Sequence, residues 1–414
     1  MMARRPTWTV PTLCLVALSC ASCGRVGFDR GGADAARDSG STPVDTSVAD
    51  AGTDADAGPL PLALAAPRLE VNYNSRVTFN ATGGVPPYTF SVATGEGTID
   101  GTTGAFFSPG FAGSTRVRVT DTAGDADELA VEVGGDTLYY AGGRETVDIT
   151  FLTHADDVWS STDAVTWTPA GLLPFNLYNG VMLVLEDALW FIGGREDLTT
   201  WHSEVWRSTD GATWSVIGNL PAPRAAHEGA IFQERIWIVG GYNAGTTFAT
   251  VWSSADGVAW TDHPPFPTST YGGTLASFDG RLWYIGGYND SVSFDDVWST
   301  SDGNTWTELT AVLPAPCHSS AFTRFEGSEY LVGGEEAACE TDVVRRAAGS
   351  AWGSIATLAF TAENGTAEVF RNEMIFAGGN SDRVMSSTDG VTWSPKGTLP
   401  AIRNGGQLVA FSVR

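Results

Sequence analysis

The sequence predicts an all-β protein in which residues 135–414 close into a ring of six four-stranded blades, a β-propeller, behind a small β-sandwich. Three observations carry this. The 414 residues contain 49 Gly and 20 Pro beside 15 Trp, a balance that favours short strands and tight turns over helices. An apolar run ends in a Gly-Gly pair six times: LYYAGG (138–143), LWFIGG (189–194), IWIVGG (236–241), LWYIGG (282–287), YLVGG (330–334) and MIFAGG (374–379). Each pair is followed, after a loop of variable length, by a decamer: VWSSTDAVTW, VWRSTDGATW, VWSSADGVAW, VWSTSDGNTW, VVRRAAGSAW and VMSSTDGVTW. A period of 45 to 51 residues at this fidelity is the mark of a repeat architecture.

The N-terminal segments read differently. Residues 1–23 have an export leader's pattern: a basic MMARRPTW, an apolar run too short to span a bilayer, and small residues at its end. The run closes as Ala21-Ser22-Cys23-Gly24, which resembles the lipobox of bacterial lipoproteins and implies diacylglyceryl attachment at Cys23. Cys20, after Ala17-Leu18-Ser19, is a competing site, and ordinary cleavage with release is the plain alternative. Lipidation implies an exported protein anchored in the outer membrane, periplasmic or surface-exposed, with its lipid as the only membrane contact. Residues 24–66, rich in Ala, Asp, Gly, Ser and Thr, have almost nothing to bury and are expected to remain an extended tether. The acidic TDADAG within it lacks the turn glycine and distal Glu of a calcium loop.

Residues 67–134 alternate in short runs such as RVTFNAT, YTFSVAT and TRVRVTDT, separated by the turn clusters GGVPP, DGTTG and TAGD. This segment resembles the immunoglobulin-like β-sandwich modules of bacterial surface proteins, which implies a spacer.

In the repeat region, RAAHEGAIFQERIWIVGG gives two alternating strands joined at Gln233-Glu234, and TVWSSADGVAW gives two more joined at Ala255-Asp256-Gly257. Ser and Asp of the decamer are expected to hold its turn, while its last Trp wedges between blades at a cost of roughly 3–5 kcal/mol if removed. The fifth decamer has lost the Asp and the first Trp, so its turn should be the weakest. The C-terminal NGGQLVAFSVR matches the first strands of other blades and is expected to complete blade one. Gly-Gly with a downstream Trp at this spacing resembles the kelch repeat, and S-x-D-G-x-T-W at Ser208–Trp214 and Ser387–Trp393 resembles the Asp-box of sialidases and other secreted propellers, where it is structural.

Net charge −25, from 48 acidic and 23 basic residues, opposes binding to nucleic acid or anionic lipid. Strand direction places the loops after the Gly pairs and the connections between blades on one face. Ligand-binding candidates there are Arg144, Tyr178, Arg195, Trp201, His227, Glu228, Tyr242, Tyr271, Tyr288 and Arg403, with Trp201 foremost because no core strand accounts for it. Cys317 and Cys339, the only cysteines after residue 23, are expected to form a disulfide; a zinc site with His318 is the alternative, without evident further ligands. No G-x-S-x-G, H-E-x-x-H or phosphate-binding Gly loop is present, and nothing indicates a galactose-oxidase-like copper site. The expected function is therefore a non-catalytic, monomeric envelope lipoprotein that binds a glycan or protein partner without a cofactor. The alternative follows from similarity to periplasmic six-bladed kelch propellers that interconvert sialic acid anomers: Arg195, Arg224 or Arg403 would grip a carboxylate while Glu228 or His227 moves a proton.

Overall fold

Short apolar runs broken by Gly, Asp and Asn leave the chain little choice but strands. In the computed structural model every regular element among the described residues, 60–146, 152–309 and 313–414, is a β-strand. Cys23 and nearly all of the tether lie outside the described residues.

Six four-stranded antiparallel sheets make up the repeat region. The second to sixth sheets follow chain order and begin with Val181–Leu185, Glu228–Phe232, Thr274–Phe278, Ala321–Phe325 and Gly365–Phe370. The first sheet takes its innermost strand from the other end of the chain: Gln407–Phe411 pairs antiparallel with Thr137–Ala141, with Ala141 opposite Gln407 and Thr137 opposite Phe411. This is the pairing expected from NGGQLVAFSVR. Apolar clusters fill the space between successive sheets, the second with the third, third with fourth, fourth with fifth and fifth with sixth, while a larger cluster joins the sixth, first and second. These closed layers are a β-propeller.

Two turn chemistries shape each sheet. In the second to sixth sheets the first two strands are joined by two-residue turns in which both residues have positive φ, as at Glu186-Asp187, Gln233-Glu234 and Arg371-Asn372, the primed geometry that matches strand twist. At the decamer turn, the Asp210 carboxylate accepts the amides of Ala212 (2.9 Å) and Thr213 (2.7 Å), and the Ser208 hydroxyl accepts that of Gly211 (2.9 Å). Those amides hold the Asp210 carboxyl down at about 2. Gly211 itself has φ +72° and lies under Tyr139 of the preceding sheet, where a Cβ would come within 2.1 Å of the ring. Gly257 under Trp190, Gly303 under Trp237 and Gly390 under Tyr330 repeat the arrangement.

The wedge between sheets is thus the aromatic residue of the preceding sheet's second strand. The decamer's last Trp, expected to play that part, is only partly buried at Trp167, Trp214, Trp260, Trp306 and Trp393, and is buried between sheets at Trp352 of the fifth decamer. The first Trp is the buried one where the sequence keeps it in the first three decamers, with Trp206 fully enclosed. In the fifth sheet the turn is held without a carboxylate, by the Ser350 hydroxyl accepting the Ala347 amide (3.0 Å) and donating to its carbonyl (2.7 Å). A disulfide joins Cys317 and Cys339 across the same sheet's loops, with Cα atoms 6.1 Å apart.

The N-terminal module contains a four-stranded sheet (Glu70–Val71, Ala126–Val133, Gly113–Thr120, Thr89–Thr94), a three-stranded one (Arg76–Thr78, Ala105–Phe107, Thr98–Ile99) and a short pair. The pair uses Ala63–Ala65, so the module begins before the boundary expected at residue 67. It is no free spacer. It docks on the propeller face that carries the two-residue turns: Asn72 donates to Asp187 (3.0 Å) and to the Ser412 carbonyl (3.0 Å), Asn74 donates to the Val184 carbonyl (3.0 Å), and Arg76 pairs with Glu186 (2.8 Å) and Glu234. Arg324, stacked on Phe111 of the module, pairs with Glu96 and with Glu329 (3.0 Å).

Candidate functional site

The opposite face carries the loops after the Gly pairs, and these converge on a pocket of about 610 Å³ at the ring's centre. Glycines bring the walls together. The Cβ missing from Gly194 (φ +100°) would lie 3.2 Å from the Gly180 amide and from the Tyr178 carbonyl, so the loop can pass this close to the neighbouring connection only as glycine.

Arg144 and Arg195 stand on one side of the pocket. Arg144 is held by reciprocal backbone bonds with Asn404 (2.9 and 3.1 Å), and Arg195 by the same exchange with Tyr178 (3.0 and 3.1 Å). Their guanidiniums flank the buried Tyr178 ring, at 5.6 and 4.5 Å from its centre. Neither has a carboxylate within ion-pair distance among the described residues. The other side is acidic: Glu335 accepts from Ser319 (3.2 Å) and Asn364 (3.0 Å), Glu336 accepts from Ser293, and His318 lies 3.5 and 3.7 Å from these two carboxylates. Tyr271 and Tyr288 complete the wall, ring centres 5.4 Å apart.

Glu228 sits where the pocket narrows, at the start of the third sheet's inner strand. Its carboxyl makes no hydrogen bond or ion pair among the described residues, and burial raises it to about 8, leaving it protonated at neutral pH. His227 beside it is 2% exposed, and burial, followed by the Arg224 charge, pushes it down to about 3, so the ring is neutral.

Of the ten candidates, the pocket brings together Arg144, Arg195, His227, Glu228, Tyr271 and Tyr288. Tyr178 is 1% exposed and supports the two arginines from below. Trp201 and Tyr242 lie outside the pocket, with ring centres 6.3 Å apart, and Tyr242 adjoins Tyr271 at 5.6 Å, so they extend its rim. Trp201 owes its place to backbone pairing with Arg195. Arg403 does not face a ligand. It is 1% exposed, its Nη2 donating to both carboxylate oxygens of Asp157 (2.8 and 2.7 Å) and its Nη1 to Glu145 (2.8 Å), and it is stacked on Trp159 at 4.3 Å. Arg224 is equally internal, donating to the Gly240 carbonyl (2.7 Å) and Thr250 (2.6 Å) over the Trp252 ring. Glu336, Ser320 and Gln407, which line the pocket, were not among the expected residues; Gln407 is set by its place on the closing strand.

Among the described residues no group of three or more His, Cys, Asp or Glu is arranged to hold a metal, and the thiols a zinc site would need are joined to each other. No protein-family profile matches the chain, and no curated protein sequence matches it. Among solved structures the fold is similar to one titled "Structure of YjhT", with 14% identity and a TM-score of 0.52 over 63% of this chain and 95% of that one. The likeness is one of fold, and with the closed layers of antiparallel sheet it supports a β-propeller.

Proposed function

We propose that this protein is an envelope lipoprotein whose six sheets are the six blades of a kelch-type propeller and whose axial pocket binds a small acidic, hydroxyl-rich ligand such as a sugar acid. The observation that carries this reading is the pair Arg144 and Arg195, two guanidiniums at a pocket wall without a carboxylate partner among the described residues. A guanidinium presents a planar fork that matches a carboxylate, and it is costly to keep such a group half-buried with its charge unanswered. Arg224, Arg324, Arg346 and Arg403, by contrast, are used up in internal contacts. Tyrosine rings and the carboxylates of Glu335 and Glu336 supply apolar faces and hydroxyl acceptors for the rest of such a ligand. With a net charge of −25 the protein does not steer anions from afar, so recognition rests on short-range contact. The module, which we read as immunoglobulin-like, and Cys23 as the lipidated residue would fix this propeller near a membrane.

A second reading has its own support. An uncharged Glu228 carboxyl beside the ligand could give and take a proton, as the interconversion of sugar anomers needs. Titrating the full chain with N-acetylneuraminate and with its methyl ester, observed by proton NMR, tests both. The binding reading expects the acid to bind and the ester to bind at least tenfold more weakly; equal behaviour of the two removes it. Faster anomer exchange that Glu228→Gln abolishes would add catalysis, and an unchanged exchange rate would leave binding alone.

A further inference from the structure

Below Glu228 the pocket opens into a second chamber of about 290 Å³ on the propeller axis. Its walls are the inner strands of the six sheets, each of which has a partner on one side only. The other edge of every inner strand turns its amides and carbonyls toward the axis, where they must meet something polar. At the base the N-terminal module supplies it: the Tyr73 hydroxyl donates to the Val369 carbonyl (3.2 Å), the Asn74 amide donates to the Val184 carbonyl (3.0 Å), and the Asn74 carbonyl accepts the Glu186 amide (3.0 Å). The module thus forms a floor beneath this part of the channel, opposite the arginine pocket. Between floor and neck the edges are left to the chamber's contents.

The side chains that line it suit the same contents. Thr274 and Thr323 carry hydroxyls with no hydrogen bond among the described residues, and Ala230, Ala276 and Ala367 leave the volume open. Glu368 at the base accepts from Tyr73 (3.3 Å) and lies across the chamber from the neck. An alkyl chain entering here would strip water from backbone groups and leave them unpaired, whereas a chain of hydroxylated carbons can donate to the carbonyls and accept from the amides.

We propose that this chamber is a second binding compartment that takes the hydroxylated side chain of an acidic sugar whose carboxylate is held above it by Arg144 and Arg195. The proposal rests on the acidic-ligand reading and adds to it a requirement: the ligand must carry a polyol tail able to pass Glu228.

The test is isothermal titration of the full chain with three acids: N-acetylneuraminate, which has a three-carbon hydroxylated tail, the same acid with its tail shortened to one carbon by periodate and borohydride, and glucuronate, which has no tail. The intact acid is expected to bind about tenfold more tightly than the shortened one, the worth of one or two retained hydrogen bonds. The isosteric double variant Thr274→Val/Thr323→Val, which removes the two hydroxyls at constant shape, should weaken the intact acid several-fold and leave the shortened acid unchanged. Ala367→Leu, which fills the chamber, should act in the same direction. Equal affinity for intact and shortened acids in the unmodified protein overturns the chamber proposal while the arginine reading stands, and so does a double variant that weakens both alike. If none of the three acids binds, the acidic-ligand reading falls and the chamber proposal with it.

Discussion

At the scale of single residues, the site is defined by what its charged groups lack. Glu228 and Glu368 are carboxyls that burial raises to about 8 and about 7, from 4.5 when free. Between those limits the folded chain holds protons that the unfolded chain releases, so stability falls as pH rises from about 4.5 through 8. The carboxylates held low by turn amides, Asp197, Asp210 and Asp302 at about 2, act in the opposite sense, and their contribution is lost as pH falls below 3.8. Melting temperature should therefore peak between about pH 4 and 4.5, and Glu228→Gln should flatten the decline above pH 6; a variant that melts with the parent's slope would contradict the buried-carboxyl account. The two classes of arginine were only half legible in the sequence. Arg224 and Arg403 stand at matching places in their connections, before AAHEG and NGG, and each stacks on the first Trp of the decamer that follows around the ring. A repeated position is a structural signal, and it could have separated them from Arg144 and Arg195, which directly follow Gly pairs.

At the scale of elements, the decamer turn was readable because its chemistry is local. Ser208, Asp210 and Gly211 close a turn with bonds that span three residues or fewer, so sequence order alone carries the geometry. The role of its tryptophans was not readable, since which of two rings is buried depends on the neighbouring sheet's Tyr139 or Trp190 meeting the turn glycine. The fifth sheet shows how a departure is absorbed: Ser350 replaces the lost Asp, Arg346 stacks on Trp283 of the preceding sheet at 4.7 Å, and the Cys317–Cys339 bridge ties its loops. Reduction should cost about 3 kcal/mol, as expected for a loop of this size. A melt in reductant that coincides with the oxidised one would show that the bridge constrains nothing.

At the scale of the whole molecule, repetition builds a rigid ring whose loops are free to vary, and the ring's closure by Gln407–Phe411 makes its stability one cooperative property. Deleting residues 405–414 removes a strand from the first sheet and Gln407 from the pocket together, and should turn a single sharp transition into a broad one; an unchanged melt would refute the closure. The module's docking was invisible in the sequence because its contacts, Asn72 to Ser412 and Tyr73 to Val369, join residues about three hundred positions apart through individually unremarkable side chains. The central claim is that Arg144 and Arg195 hold an anion that the internal arginines do not. It is tested most directly by titrating N-acetylneuraminate into the parent chain, Arg144→Ala/Arg195→Ala and Arg403→Ala. The account predicts that the double variant loses binding while melting as the parent does, and that Arg403→Ala, which removes the cation bound to Asp157, loses roughly 3–5 kcal/mol of stability but binds wherever it is folded. Binding that survives in the double variant would contradict it.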